Sequence, residues 1–295
     1  MKTIDTLVDD IYNLFDDNTD WTPSEENINT FAHMLAKKIA ARASQGPKEK
    51  GTLRMSNLGT PCDRKLYYHV NDHENAEPLT PETKIKFLYG DILEELLLFL
   101  AAEAGHRVEG EQDEVTLNGI VGHRDAIIDG RLVDVKSASS LSFNKFKNNE
   151  LKEKDKDPFG YITQLETYYQ SSKDEPIVTD KGVASFLVID KTLGKICLDT
   201  YAISDTDYEK VAEEKKAMVA SDTIPRRGFS PVPEGKSGNM KLDTNCRYCD
   251  HKFTCWPGLR TFIYSSGPMY LTLVNRPPKV VEVDRKGEVV SDRNF

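Results

Sequence analysis

Residues 120–137 carry two apolar runs joined by Asp129-Gly130. An Asp-Gly step between runs rich in Ile, Leu and Val is a strong β-hairpin signal, because both residues tolerate the positive φ that a two-residue turn requires. Strands are therefore expected over 120–128 and 131–137, after a further strand over 114–117. Residues two apart on a strand share a face, so Asp134 and Lys136 project together, and the turn brings Asp125 across from them. Two carboxylates and an ammonium then converge inside a hairpin of Ile127, Ile128, Leu132, Val133 and Val135, all core formers. An isolated Asp-x-Lys triplet is often a salt bridge on a surface hairpin. Charges embedded among so many apolar neighbours call for a functional reason.

That set suits phosphodiester hydrolysis. Asp125 and Asp134 offer hard oxygens to Mg²⁺ or Mn²⁺. Such an ion polarises a phosphoryl oxygen and activates water, while Lys136 can position the water and stabilise the developing charge. Two helices add to the set. One begins at Thr80-Pro81-Glu82 and ends before Gly105. Its Ile85, Leu88, Ile92, Leu96 and Phe99 keep helical spacing, and Leu93, Leu97 and Leu100 form a second apolar side, so it is expected to be buried. Gly90, Glu94, Leu97 and Ala101 share one stripe, which makes Glu94 a further candidate metal ligand. Glu95 is its rival, and a solvent-facing Glu94 is the plain alternative. In a later helix, expected over 158–170, Gln164 and Tyr168 share a face. They would hold a substrate strand or orient Lys136, or simply form ordinary helix surface.

The remaining pattern sets this hairpin in an α/β or α+β core. Thr22-Pro23-Ser24-Glu25 reads as a helix start with Thr22 as N-cap, and the helix runs to Arg42. A polar linker with Gly46 and Pro47 follows over 44–51. Strands are expected over 183–190 and 195–202, a charged surface helix over 205–220, and a loop-rich remainder. The domain reading is a helical region over 1–50, a nuclease-like domain over 51–265 and a tail over 266–295. No run of eighteen apolar residues exists, which excludes a membrane span from this pattern, and the acidic N-terminus lacks a signal-peptide pattern, so a cytoplasmic protein is expected. The net charge of -9 argues against indiscriminate coating of nucleic acid. Local basic groups remain: Lys48, Lys50 and Arg54; Arg64 and Lys65; Lys145, Lys147, Lys152, Lys154 and Lys156; Arg226 and Arg227. Each is either a phosphate-tracking patch or a solvated surface.

The ordered series Gly90-x3-Glu94, Gly122-His123-Arg124-Asp125, Asp134-Val135-Lys136 and Gln164-x3-Tyr168 resembles the motifs of RecB-type nucleases in the PD-(D/E)XK superfamily. The resemblance covers roughly residues 80–205 and rests on the order of the motifs. It implies a restriction-endonuclease-like mixed sheet flanked by helices, with Asp125 and Asp134 binding metal, Lys136 catalytic, and Gln164 and Tyr168 supporting substrate or active-site order. Many relatives carry His where Glu94 stands.

Five cysteines are present, and Cys246-x2-Cys249-x5-Cys255 forms a compact group with Cys62 far upstream. In a reducing compartment such thiols suggest metal, either an iron-sulfur cluster or structural zinc. A zinc ribbon usually presents two C-x2-C pairs, and here there is one. One Cys before the core and three after it resembles the iron-sulfur RecB-type nucleases: CRISPR-adaptation exonucleases, AddB-type subunits and a eukaryotic replication helicase-nuclease. That likeness implies a [4Fe-4S] cluster stapling N- and C-terminal segments, with Zn²⁺ as the other occupant. Cys197 reads as a core residue. Arg54, Ser56, Arg64 and Lys65, near Cys62, are candidate phosphate contacts, and Tyr67 and Tyr68 either stack on bases or pack in a core.

The resemblance further implies a Mg²⁺- or Mn²⁺-dependent deoxyribonuclease, an exonuclease on single-stranded DNA ends. It would serve replication, recombination, repair or CRISPR adaptation, in a host cytoplasm if phage-encoded. No Walker motif is present, so unwinding falls to a helicase, recombinase or replication partner. The alternative is a non-catalytic iron-sulfur subunit for DNA binding or assembly, and the oligomeric state is open.

Overall fold

The structure is a computed structural model that describes residues 2–44, 51–153 and 155–291. Gly46, Pro47, Lys48, Lys50 and Lys154, named above, lie outside the described residues. In chain order the helices and strands begin with α1 (Leu7–Asn13), α2 (Glu25–Ala43), α3 (Met55–Leu58), α4 (Asp63–Asn71) and α5 (Pro81–Glu103). Strands β1 (Val108–Glu109), β2 (Glu114–Leu117), β3 (Ile120–His123), β4 (Ala126–Ile128) and β5 (Arg131–Ala138) follow. Next come α6 (Ser140–Lys147), α7 (Tyr161–Ser172), β6 (Val183–Asp190), β7 (Ile196–Ala202) and α8 (Tyr208–Ala220). The C-terminal part adds β8 (Val232–Pro233), β9 (Met240–Lys241), α9 (Thr244–Arg247), α10 (Lys252–Cys255) and β10 (Arg260–Tyr264). It ends with β11 (Gly267–Leu273), β12 (Glu282–Val283) and β13 (Val289–Ser291).

These elements form two compact units woven from separate segments: 1–48, 53–59 and 79–217 in the first, 49–52, 60–78 and 218–295 in the second. The first unit is α/β. Its sheet runs β1-β4-β5-β6-β7, with β5 and β6 parallel and the other neighbours antiparallel. Strand β5 alternates its side chains between two cores. Val133 and Val135 join Leu97, Leu98 and Ala101 of α5 on one face. Leu132 and Ala138 join Phe143 and Phe146 of α6 and Leu165 and Tyr168 of α7 on the other. By the two-residue period, Asp134 and Lys136 belong to the α7 face. Asp129 and Gly130 turn the β4–β5 hairpin with φ of 50° and 88°, as the Asp-Gly step requires.

Two boundaries and the burial of one helix differ from the sequence reading. Residues 120–128 split: β3 pairs with β2 in a separate two-stranded sheet, and only β4 joins the central one. Asp125 therefore stands at the break, immediately before β4, and not within a continuous strand. The cap of α2 is Ser24, whose Oγ accepts from the Asn27 N–H at 3.1 Å, so Pro23 precedes the helix. Helix α5 starts as read, with Thr80 accepting from the Thr83 N–H. Only its second half is buried, however, and Ile85, Phe87 and Tyr89 are exposed. Its fully apolar circumference overstates burial because the sheet-facing core residues begin at Leu93.

The second unit carries a six-stranded sheet, β13-β12-β10-β11-β9-β8, where the sequence suggested loops. Residue 265, expected as the last residue before a tail, lies in the turn of the β10–β11 hairpin. Four of its strands, β8, β9, β12 and β13, have only two or three residues and give no readable alternation, which is why they escape a pattern argument. Among the described residues no helix is long and apolar enough to cross a membrane.

Strand β7 carries one telling charge. Asp199 is buried, and burial pushes its carboxyl up to about 6, against hydrogen bonds from Tyr201 and Asn149. The folded state thus holds this proton at a pH where the unfolded chain has released it, so stability falls as pH rises from about 4 to about 6. Asp199→Asn keeps an acceptor for the Asn149 side chain, which donates to Oδ1 at 2.7 Å. The variant is expected to gain on the order of 2 kcal/mol above pH ~6 and to flatten that slope. Urea denaturation across this range measures both, and an unchanged slope would refute the assignment.

Candidate active site

Asp134 sits on β5 with 4% of its surface exposed. It forms an ion pair with Lys136, two residues on along the same face. The Gln164 side-chain amide of α7 donates to its other oxygen, Oδ1, at 3.0 Å. Asp125 reaches over from the β4 break and accepts the Val135 N–H at 2.7 Å. The sheet thus holds Asp125 by its own backbone, beside the strand that carries the other two residues. Glu94, on α5, accepts from Lys38 of α2 at 2.6 Å and from the Gln112 amide at 2.8 Å. Tyr168 lies buried on the α7 face, and its oxygen takes the His123 N–H.

The electrostatics join these groups into one site. Burial first, and then the charge of Asp125, push the Glu94 carboxyl up to about 8 against the opposing charge of Lys38. Burial also raises Asp134 to about 6; Lys136 opposes that rise and Asp125 adds to it. Burial acts to lower the Lys136 ammonium, but the charges of Asp134 and Asp125 more than offset it and hold it above its usual value. Tyr168 is raised by burial first, then by Asp134 and Asp125. Asp125, Asp134, Lys136, Glu94, Gln164 and Tyr168 are thus brought together. Glu95, the rival of Glu94, is buried beside Lys38 at 2.9 Å, and Glu94 is the one that the charge of Asp125 raises.

Three contributors were not evident in the sequence. Lys38 lies 56 positions before Glu94 and bridges it to Glu95, with no local spacing to reveal it. Gln112 donates from the loop before β2. Tyr161 places its ring 5.4 Å from the Lys136 Nζ. It precedes Gln164 by three positions, so extending the Gln164-x3-Tyr168 face one turn backward would have found it.

The glycine and arginine of the Gly122-His123-Arg124-Asp125 run have structural jobs. Arg124 is buried, held by Asp113 at 2.7 Å and Glu175 at 2.6 Å. Gly122 leaves room for Tyr168: a Cβ there would stand 2.8 Å from the Met55 Cβ and from Cε1 of Tyr168.

Cys62, Cys246, Cys249 and Cys255 all belong to the second unit, and none forms a disulfide. Cys62 precedes α4, Cys246 lies in α9 and Cys255 ends α10. Burial first, and then the charges of Cys62 and Cys255, push the Cys246 thiol up to about 11. Cys249 rises to about 12 by burial, opposed by the His251 backbone N–H and raised again by Asp250 and Cys62. The four thiols therefore share one electrostatic neighbourhood. Gly228 leaves space beside it, since a Cβ there would lie 3.2 Å from the Cys62 Sγ. Arg227 stacks 4.0 Å from the Trp256 ring centroid and donates to the Cys255 carbonyl. Cys197 stands apart on β7 of the first unit, packed against its core.

Among the described residues, no three His, Cys, Asp or Glu side chains stand in a group set to hold a single ion. Lys136 and Lys38 occupy oxygens of the site's acids instead. The candidate DNA contacts divide between units. Arg54 and Ser56 are exposed in the first. In the second, Arg64 donates to the Pro225 carbonyl at 2.6 Å, and Lys65 acts on the Cys249 thiol. Tyr68 is buried with its ring 5.5 Å from that of His251, which makes it a packing residue.

No protein-family model matches the sequence, and no curated protein matches it. Among solved structures, one titled "Crystal structure of SSO0001" is similar at 18% identity and a TM-score of 0.40, covering 76% of this chain and 95% of that one.

Gly122→Ala is expected to press on Tyr168 and Met55, which have little room to yield. It should destabilise the protein by about 1–3 kcal/mol. Urea denaturation reads this directly, and a wild-type midpoint would show that the ring moves freely.

Proposed function

We propose that the chain is a metal-dependent deoxyribonuclease of the RecB type with a restriction-endonuclease-like core, acting as an exonuclease on single-stranded DNA. The observation that carries this reading is the gathering of Asp125, Asp134 and Lys136 at the central strand β5, with Glu94 of α5 near enough for the charge of Asp125 to raise its carboxyl. Four acids, Glu94, Glu95, Asp125 and Asp134, face two ammoniums, Lys38 and Lys136, and burial raises Glu94 and Asp134 toward the protonated form. Such a deficit of positive charge fits Mg²⁺ or Mn²⁺, with Asp125 and Asp134 as its holders and Glu94 as a further one. When bound, a divalent ion polarises a phosphoryl oxygen and makes its water a stronger nucleophile. Lys136 then meets the charge growing on the phosphate, and Gln164 keeps Asp134 oriented.

The thiol group supports a [4Fe-4S] cluster within the second unit. Burial, and then the charges of neighbouring cysteines, push the Cys246 and Cys249 thiols up, a tension that a cationic centre would remove by binding them as thiolates. Cys62 comes from segment 60–78 and the others from segment 218–295, so the cluster would tie these two stretches of chain together.

End-labelled single- and double-stranded DNA, digested with Mg²⁺ or Mn²⁺, tests the catalytic reading. Degradation is expected with either ion and none with a chelator. Asp134→Ala and Lys136→Ala should each lower the rate about a hundredfold or more. Activity surviving both substitutions would defeat the assignment of these residues, and no degradation with either ion would favour a non-catalytic subunit for DNA binding or assembly.

Anaerobically purified protein is expected to be brown and to carry iron and acid-labile sulfide. Cys246→Ser should lose both, and colourless protein with stoichiometric zinc would overturn the iron-sulfur assignment.

A further inference from the structure

A cavity of about 210 Å³ opens past Lys136, between the end of β5, α6 and the segment leading to α7. Lys136 forms part of its wall, with Lys145, Lys156 and Lys191 and the side chains of Ser139 and Ser142. Phe159 and Tyr161 supply an aromatic side, and Phe159 is 57% exposed.

Four ammoniums around one small space repel each other unless anions balance them. Lys136 is balanced by Asp134, and Lys156 by Glu150 at 2.7 Å. Lys145 donates to the Lys156 carbonyl at 3.2 Å, a contact that leaves its charge in place. Among the described residues neither Lys145 nor Lys191 has a carboxylate within ion-pair distance, although the charges of Lys145 and Glu150 do act on each other. The cavity therefore presents two cations with no ion-pair partner among the described residues, the Ser142 hydroxyl, which accepts from Ser139, and an aromatic face. Phosphate matches the first two features and a nucleobase the third.

We propose that this cavity holds the nucleotide next to the scissile phosphate, its phosphate among Lys145, Lys156 and Lys191 and its base against Phe159. The proposal rests on the nuclease reading only in placing the scissile phosphate at Lys136, the wall that the two sites share. Binding itself needs no divalent ion and no catalysis.

Titration calorimetry of the full chain in a chelator, with thymidine 5′-monophosphate and with thymidine as probes, tests it. The monophosphate is expected to bind, more weakly as salt rises, and thymidine to give no measurable heat. Lys145→Ala with Lys191→Ala should weaken binding about tenfold or more. Lys191→Glu alone, at an exposed position that leaves folding intact, should also weaken it. No binding of the monophosphate by the wild type, or equal binding by the double variant, would overturn the assignment. Cleavage of DNA with nucleotide binding absent would refute this site alone. Cleavage that survives Asp134→Ala would refute the catalytic reading alone.

Discussion

The first unit depends on a buried ion pair set into its central strand. Asp134 and Lys136 lie on β5, which is covered on both faces. Removing a carboxylate from water costs several kcal/mol, and the attraction of one ammonium offsets that only with further hydrogen bonds. The surroundings supply them: Gln164 donates to Asp134, and Asp125 is held by the Val135 N–H of the same strand. A pair of apolar residues would hold such a strand at least as well. The retention of two charges at its centre is thus a cost to the fold that function has to justify. The raised carboxyls of Asp134 and Glu94 express that cost as protons held where water would release them.

The packing of the helices follows from this arrangement. Helix α7 brings Gln164, Tyr168 and Tyr161 to one side of β5, while α5 brings Glu94, with Lys38 of α2 behind it. Gly122 matters because the Tyr168 ring occupies the volume that a side chain would take. Arg124, between Gly122 and Asp125, is fastened by Asp113 and Glu175, and this anchors the break at which Asp125 emerges. A motif that reads as four consecutive letters is therefore a packing device, with its one chemical group at the end.

What the sequence disclosed follows the range of each interaction. The Asp129-Gly130 turn, β5 and the caps of α5 are local, and all were legible. The pairing of Asp134 with Lys136 on one face followed from the period of a strand. The break before β4 was not legible, because residues 120–128 stay extended in pattern, and what divides them is Arg124 binding residues 11 and 51 positions away. Lys38 was illegible for the same reason. In the second unit the thiol spacing was readable, whereas the sheet was not, since its short strands are defined by pairing and not by alternation. The plain reading of Tyr68 as a core residue held because its apolar ring outweighs its polar tip when His251 is the neighbour.

Charge changes sign across Lys136. On one side stand Glu94, Asp125 and Asp134; on the other, Lys145, Lys156 and Lys191. A phosphodiester chain is repelled by the first side until its acids are neutralised, and it is attracted to the second side at all times. In the proposed reading, nucleic acid entering the site would meet the lysines first, so its register would be set before the reacting phosphate comes under the acids. That order would also reconcile a chain of net charge -9 with the proposed polyanionic substrate. The attraction need only be local, since interactions between exposed charges fade within about 10 Å at moderate salt.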